Sequence, residues 1–546
     1  MLKKDSLIKG TLILAAAALT ARFLGLFQRI PLDYILSAEG QAAFNAANQA
    51  YLLLLTIATG GIPISINKMI SQRYALGRPD EAKRIYKAAL IFGTVAGLVL
   101  AVAMFGLAPL YARISKVPSS VLSLQAIAPA LLLFPIIAMM RGYFQGRQFM
   151  SAGGISQIVE QILRVIGGIG LALIVLGLGW GDEWGAAAVA LGSVFGSIGA
   201  MAVMLWFARK LKKHDQAERL SSHAGRKAEA STEAPLPFRS IYREIFSMSI
   251  PAVVTAMTVN FVYFFDQTFF MRLTQSFYNE ETATQVLTSY GTKAMALAGI
   301  PPILAIALGA SMIPVISSAF SLNKLDEVQR QASLVMRIVC FTGVPIALML
   351  TVAAYSVTGL LFSSPSGSGV VALLTAGTIF QITMMTTNSI LFGLGKPNLP
   401  MIHTFIGFGL KVLFSIVLSP WLGVYGLIIA SSICFIVITV LNVRKINQNV
   451  KLNVLGRRWV PYMAAIAVAA LAGWGAEYSM LALSASWANK LSYLASGGAA
   501  ALVIGGLYII LLAALRVITP EDARSFPGPL RKLMTLILKP FYRKAV

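Results

Sequence analysis

Long apolar segments, separated by short polar ones, run along nearly the whole chain. A bilayer core about 30 Å thick is crossed by roughly 20 helical residues, so each apolar segment of that length predicts a membrane-spanning helix. Fourteen such segments lie at 7–36, 41–72, 85–112, 118–140, 151–178, 184–208, 245–271, 286–320, 331–362, 369–393, 399–419, 422–441, 459–480 and 491–515. The pattern predicts an all-α polytopic membrane protein with about 14 transmembrane helices.

The polar segments between these spans carry an uneven charge. Alternate loops and the two termini together hold 34 Lys and Arg, whereas the opposite loops hold four. Basic residues concentrate on the cytoplasmic side of a membrane, and an even number of spans puts both ends of a chain on one side. We therefore expect a cell-membrane protein with both termini cytoplasmic.

Composition narrows the function classes. Of the 546 residues, 57% are hydrophobic and 12% are charged, and the mean hydropathy is +0.75, which excludes an ordinary soluble domain. The formal charge of +24 sits mainly in the loops, so membrane lipids, and no nucleic acid, are expected as partners. Two Cys and three His without ligand spacing predict neither a metal nor another cofactor.

An internal repeat organises the spans. "ISQRYALGRPDEAKR" at Ile70–Arg84 matches "ISSAFSLNKLDEVQR" at Ile316–Arg330 in six of fifteen positions. The repeat predicts two six-helix lobes in the same orientation, followed by two extra C-terminal helices. The predicted domains are an N-lobe of spans one to six at 1–209, a flexible cytoplasmic linker at 210–243, a C-lobe of spans seven to twelve at 244–446, spans thirteen and fourteen at 447–517, and a basic amphipathic cytoplasmic tail at 518–546.

Basic residues inside the predicted spans are candidates for function, because an ionisable group near the bilayer centre costs at least about 2.5 kcal/mol. Two of them, Lys68 and Arg337, lie near a cytoplasmic end and can reach the headgroups. With Lys9 and Lys87, in the first turn of their spans, counted among the loops and termini, the set is Arg22, Arg29, Lys68, Arg164, Lys293, Arg337 and Lys411.

Span five contains a charged pair in "ISQIVEQILRVIGGI". Glu160 and Arg164 are four residues apart with the acid nearer the N-terminus, the favourable order for a helical pair. This polar face must look into protein or water rather than lipid. The pair could line a binding site, or it could neutralise itself and hold span five against a neighbouring helix.

Two buried bases, Arg22 in span one and Lys411 in span eleven, have no evident acidic partner. We expect each acid in the spans to have a nearby base, as Asp33 has Arg29. One unpaired base in each lobe predicts a central cavity with net positive charge for an anionic ligand. Undetected pairing, or water around each cation, is the alternative. Asp266 in span seven could bind a coupling cation such as Na⁺.

Helix-breaking residues recur in the two lobes and predict gating hinges. "GGIP" interrupts span two and "GIPP" interrupts span eight. Broken helices in matching positions are typical of transporters that rock around a central site. The predicted hinge residues are Gly25, Pro31, Gly60, Gly61, Pro63, Gly299, Pro301 and Pro302.

Several motifs resemble one family of transporters. "TARFLG" in span one, "DEAKR" and "DEVQR" after spans two and eight, and above all "RGYFQGRQFMSAGGISQIVEQILRV" at 141–165 carry the resemblance. They are similar to the polysaccharide-transport branch of the multidrug/oligosaccharidyl-lipid/polysaccharide (MOP) exporter superfamily, in particular to Gram-positive MurJ-type lipid II flippases and stage V sporulation protein B. The resemblance covers nearly the whole chain.

The resemblance implies a function and a set of contacts. Such proteins move undecaprenyl-pyrophosphate-linked peptidoglycan precursor (lipid II) to the outer leaflet by alternating access. Cationic residues of span one line the cavity, and Arg22 stands at the matching position. Where a second arginine is expected the chain has Gln28, with Arg29 next to it, and "TGGIPISINK" lacks the arginines that Gram-negative members carry in span two.

Further expectations follow from the same resemblance. The cargo pyrophosphate would supply the missing negative charge, and Na⁺ or the membrane potential would supply the energy. Cell-wall synthesis machinery is an expected partner, and no catalytic residue is expected. A cation-coupled multidrug exporter, or a flippase for another lipid-linked polysaccharide or a spore cortex precursor, remains open. A membrane glycosyltransferase is disfavoured because the outer loops are short.

Overall fold

The computed structural model describes residues 7–222 and 237–519, and all regular structure in these ranges is helical. A π-helical turn occupies Ser289–Ala294 and a 3-10 turn occupies Gly456–Arg458. The α-helices are α1 (Leu7–Ile35), α2 (Ala38–Thr59), α3 (Ile62–Ala75), α4 (Pro79–Ser115), α5 (Ser120–Gly146), α6 (Met150–Gly177), α7 (Asp182–Ser222), α8 (Phe238–Leu273), α9 (Glu280–Thr288), α10 (Met295–Ala298), α11 (Pro302–Ser321), α12 (Leu325–Val352), α13 (Ala354–Leu361), α14 (Ser368–Gly393), α15 (Asn398–Leu422), α16 (Val424–Asn447), α17 (Trp459–Leu483) and α18 (Asn489–Ala514).

Twelve helical segments of the described residues are long and apolar enough to cross a membrane. They coincide with twelve of the fourteen predicted spans, so the multi-pass α-helical fold is confirmed, whereas the count of fourteen is not. Predicted span one corresponds to the 29-residue α1. Predicted span eight is divided among α9, the π-helical turn, α10 and α11, and two consecutive prolines at 301–302 explain the last division because they lack the N–H that continues a helix.

The "GGIP" motif also separates two helices. α2 ends before Gly60, and Gly61 begins α3 in the left-handed region with φ 77°. A Cβ on Gly61 would lie 2.6 Å from the Cβ of Ala252 in α8, so only glycine fits both the backbone and the close approach. α1, in contrast, runs continuously through Gly25 and Pro31. Movement at any of these residues stays a prediction.

The chain divides into two compact units, Met1–Arg272 and Leu273–Val546. α8 belongs to the first unit, although the sequence repeat assigned it to the C-lobe. It is held there by hydrogen bonds from Asn260 to the Thr56 hydroxyl (2.6 Å) and between the Ser249 and Ser65 hydroxyls (2.8 Å). These contacts link α8 to α2 and α3, which no repeat pattern could reveal.

The predicted linker at 210–243 is largely helical where it is described. α7 continues to Ser222 and α8 begins at Phe238. Buried Leu211 and Ile241 continue the apolar faces of these helices, and Asp215 is paired with Arg147 at 2.7 Å. The prediction of a flexible tether across 210–243 is therefore wrong for both its ends. Residues 223–236, like the predicted tail from 520 onward, lie outside the described residues.

The two C-terminal helices α17 and α18 pack on the second unit. The Tyr462 hydroxyl donates to the Cys340 carbonyl of α12 at 3.0 Å. Glu477 of α17 is 5% exposed and accepts hydrogen bonds from the Ser356 backbone N–H (3.1 Å) and hydroxyl (2.5 Å). The described residues offer it no basic partner, so the expectation that every acid in a span has a nearby base is wrong.

Candidate functional site

A polar face on α2 forms the base of the candidate site in the first unit. Its residues follow helical spacing and are all buried: Gln41, Asn45, Asn48 and Gln49. The fully buried Tyr51 continues this face. None of these side chains is among the predicted site residues, although amides recurring at intervals of three and four in an apolar span were a readable signal. Buried amides need hydrogen-bond partners, so this face must meet other polar groups.

Glu160 of α6 pairs with Arg141 of α5, and not with Arg164. The distance from Arg141 Nη2 to Glu160 Oε2 is 2.8 Å, and Arg141 also donates to the Ser156 hydroxyl at 2.6 and 3.0 Å. α5 extends to Gly146, so Arg141 lies inside a helix. The predicted span ended at residue 140, and the count of basic loop residues therefore included Arg141. The predicted self-neutralised pair of Glu160 and Arg164 is therefore wrong.

Arg164 is left as a cation without a carboxylate partner among the described residues. Its Nη2 donates to Asn48 Oδ1 at 3.0 Å, and its guanidinium carbon lies 5.7 Å from the centre of the Tyr51 ring. Its Nε and the Tyr51 hydroxyl are both buried without a hydrogen-bond partner. Buried donors without a partner are costly, and here they lie beside a half-buried positive charge, so this place can accept a negatively charged group with hydrogen-bond acceptors.

Arg29 of α1 reaches the same polar face. Its Nη1 donates to Asn45 Oδ1 at 3.3 Å, one helical turn from the Arg164 contact at Asn48, so two like charges reach the same face of α2. Repulsion between like charges is relieved when an anion binds between them. Close packing of α1 on α6 sets this geometry, because a Cβ on Gly154 would lie 3.3 Å from that of Ala17.

The other predicted cations are placed differently. The side chain of Arg22 lies outside the described residues, and only its backbone is seen in α1. Lys411 is 0% exposed, and its Nζ donates to the Leu427 carbonyl of α16 at 2.9 Å. Lys411 thus lies in the contact between α15 and α16. The cationic site that the described side chains form consists of Arg29 and Arg164.

Asp266, the candidate ligand for a coupling cation, is fully buried in α8. No cluster of three His, Cys, Asp or Glu that could hold a metal occurs within the described ranges. Lys293 lies in the π-helical turn, where its ammonium donates to the carbonyl oxygens of Ser364 (3.1 Å) and Ser366 (3.4 Å). A role for Asp266 in cation coupling stays a prediction.

Comparison with known proteins gives a consistent result. Residues 7–320, more than half of the chain, match the family described as polysaccharide biosynthesis protein. Stage V sporulation protein B of Bacillus subtilis (strain 168) is 24% identical over 531 residues, covering 96% of this chain and 98% of that protein. Lipid II flippase MurJ of the same organism is 24% identical over 447 residues, covering 79% of this chain and 81% of that protein.

Solved structures share the fold. A structure of lipid II flippase MurJ in an inward closed conformation aligns with a TM-score of 0.64 at 13% identity, covering 92% of this chain and 100% of that one. An inward-facing multidrug resistance MATE family transporter of the MOP superfamily aligns with a TM-score of 0.60 at 14% identity, covering 77% of this chain and 92% of that one. The resemblance to the MOP superfamily that the motifs predicted is confirmed.

Proposed function

Because this chain belongs to the polysaccharide biosynthesis protein family, we propose that it is a flippase that moves a lipid-linked cell-wall precursor from the inner to the outer leaflet. The relatives named as a lipid II flippase and a sporulation protein support this class of cargo. The mechanism is alternating access with both termini cytoplasmic, driven by Na⁺ or the membrane potential. No side chain is assigned a catalytic role.

The observation that carries the proposal is the uncompensated charge of Arg164. A pyrophosphate has the oxygen acceptors that its unpartnered Nε and the Tyr51 hydroxyl lack, and guanidinium groups bind phosphate oxygens through strong charge-assisted hydrogen bonds. Arg29 adds a second cation on the same face of α2. A cationic drug would be repelled by both groups, so this site favours an anionic cargo over the substrates of a multidrug exporter.

We propose lipid II, linked through undecaprenyl pyrophosphate, as the cargo. A spore cortex precursor or another lipid-linked polysaccharide is the second candidate, because stage V sporulation protein B aligns over 96% of the chain and MurJ over 79%. The pyrophosphate is common to these cargoes, whereas the sugar and peptide differ. Contacts of the protein with cell-wall synthesis machinery belong to the same proposal.

The proposal is tested by two assays on the full chain. Cells depleted of their own lipid II flippase should resume growth when they express it, and vesicles containing the purified protein should move labelled lipid II between leaflets. A parallel assay replaces lipid II with another undecaprenyl-pyrophosphate-linked glycan. Movement of only this second lipid would support the alternative cargo, and export of cationic dyes with no lipid movement would refute the flippase proposal.

A matched pair of variants tests whether lipid movement depends on the Arg164 site. Arg164→Gln should strongly slow lipid movement, whereas Arg330→Gln should leave it unchanged, since Arg330 is an exposed surface residue paired with Glu327 at 2.9 Å. Both variants remove one positive charge. Equal activity of the two variants would show that transport does not depend on Arg164.

A further inference from the structure

The end of α7 carries an exposed face that the proposed transport does not use. Along this face, exposed apolar residues (Phe195, Ile198 and Leu205) are followed by Trp206, which is 56% exposed. Four basic residues come next: Arg209, Lys210, Lys212 and Lys213. The order of apolar, aromatic and basic residues is the order of acyl chains, interface and phosphates in one leaflet.

These residues form a shallow groove of about 600 Å³. Its described lining consists of the four basic residues together with Trp206 and Gln216, and includes no acid. The Lys210 ammonium lies 5.0 Å from the centre of the Trp206 ring. At 1.5 Å per residue, the step from Trp206 to Lys213 spans about 10 Å, which is long enough to cross the headgroup region of one leaflet.

The opposite face of the same helical segment is fixed to the first unit. Phe207 and Leu211 are buried there, and Asp215 accepts two hydrogen bonds from Arg147, at 2.7 and 2.8 Å. The Arg147 guanidinium also lies 4.8 Å from the centre of the Tyr74 ring. The helix therefore cannot rotate to hide its basic residues, and the one acid of this turn is already neutralised.

We propose that this basic face, Trp206 with Arg209, Lys210, Lys212 and Lys213, binds the headgroup phosphate of an anionic phospholipid. The ammonium and guanidinium groups hold the phosphate, and Trp206 packs at the boundary with the acyl chains. A fixed helix loses little conformational freedom on binding, which favours a defined lipid site over a diffuse charge effect. The inference does not depend on the identity of the transported cargo.

The second unit provides a control. α16 also ends in an Arg-Lys pair, Arg444 and Lys445, but the next residues are Ile446, Asn447 and Gln448, and the segment has no Trp. Both helix ends carry the charge that orients a membrane protein. Only the end of α7 adds two further lysines and the interfacial aromatic ring.

The test measures lipid binding by the purified full-length protein in detergent. Native mass spectrometry counts bound phosphatidylglycerol and phosphatidylcholine for the wild type, for the triple variant Lys210→Gln, Lys212→Gln, Lys213→Gln, and for the control Arg444→Gln, Lys445→Gln. The triple variant should lower the apparent affinity for phosphatidylglycerol at least tenfold and leave phosphatidylcholine unchanged. The control should change either affinity less than threefold.

A second readout places the lipid beside Trp206. Phosphatidylglycerol with brominated acyl chains should quench tryptophan fluorescence of the wild type, and Trp206→Phe should remove part of that quenching. Equal affinity of the triple variant and the control for phosphatidylglycerol would overturn the proposal. Displacement of phosphatidylglycerol by millimolar glycerol phosphate would also overturn it, because the groove would then be a site for free phosphate compounds.

Discussion

Arg164 in α6 and Lys411 in α15 occupy the same position in the two halves of the internal repeat, yet their surroundings differ. Each helix follows a tight turn with one residue at positive φ, Gln148 in the first unit and Gly395 in the second. The turns make corresponding hydrogen bonds. The residue numbers differ by 247 for the turn residues and also for the two cations.

The partner helices explain the difference. α7 approaches α6 so closely that a Cβ on Gly192 would collide with the carbonyl oxygen of Arg164. A Cβ on Gly196 would lie 2.7 Å from the carbonyl oxygen of Glu160. The Arg164 side chain therefore extends toward α2, where it meets an amide and an aromatic ring. In the second unit Lys411 extends toward α16 and binds a main-chain carbonyl. A buried cation indicates a binding site only when its neighbours leave it unsatisfied.

The largest effect is expected from breaking the pair that neutralises Glu160. Glu160→Leu leaves Arg141 buried without its acid, so the free energy of unfolding should fall by about 3–5 kcal/mol. Denaturant unfolding in detergent measures this change. The double variant Glu160→Leu, Arg141→Met should recover a large part of the loss. A loss unchanged in the double variant would mean that Glu160 stabilises the fold through another partner.

A somewhat smaller effect is expected from Arg164→Gln, on transport and not on stability. Loss of charged hydrogen bonds to a pyrophosphate corresponds to about 1.5–3 kcal/mol, a decrease of roughly 10- to 150-fold in the rate of lipid movement. Arg164→Lys should retain part of the activity because it keeps the charge. Equal rates for the Gln variant and the wild type in the vesicle assay would contradict the assignment.

The close packing that directs Arg164 can be disturbed without changing a charge. Gly192→Ala forces α7 away from the α6 backbone and should lower the free energy of unfolding by about 1–3 kcal/mol. The comparison variant in the second unit is Gly407→Ala in α15, at the contact of α15 with α16, where the new Cβ would meet the Cδ1 of Ile438 at 2.6 Å. That methyl group can move, so the cost should be smaller. Transport should fall for Gly192→Ala and remain near normal for Gly407→Ala.

The smallest effect is expected from Lys411→Met. The substitution replaces a buried ammonium, which donates to the Leu427 carbonyl, by an apolar side chain of similar length, and it should change the free energy of unfolding by about 1 kcal/mol or less. Transport should stay within about threefold of the wild type. Sequence reasoning predicts the opposite, namely a substrate contact at Lys411, so loss of transport with normal stability would restore that prediction.

Much of this fold could be predicted from hydrophobic periodicity. The boundaries of α6, α14 and α15 agree with the apolar segments to within three residues, and α5 continues six residues past the end of its segment. Span eight was the exception, since its apolar run is interrupted by a π-helical turn and two prolines. Of the candidate site, Arg29 and Arg164 could be predicted from their cost in a membrane, whereas Asn48 and Tyr51 could not be connected with them.

The many membrane crossings, the internal repeat and the excess of bases over acids in the spans could all be read from the order of residues. Those properties depend on the period and composition of each segment. Tertiary structure alone decided that Arg141 neutralises Glu160, that Asn48 meets Arg164, and that Lys411 is satisfied inside a helix pair. The reason is physical: pairing depends on which helix faces approach each other, and one misplaced turn exchanges the partner of every buried charge.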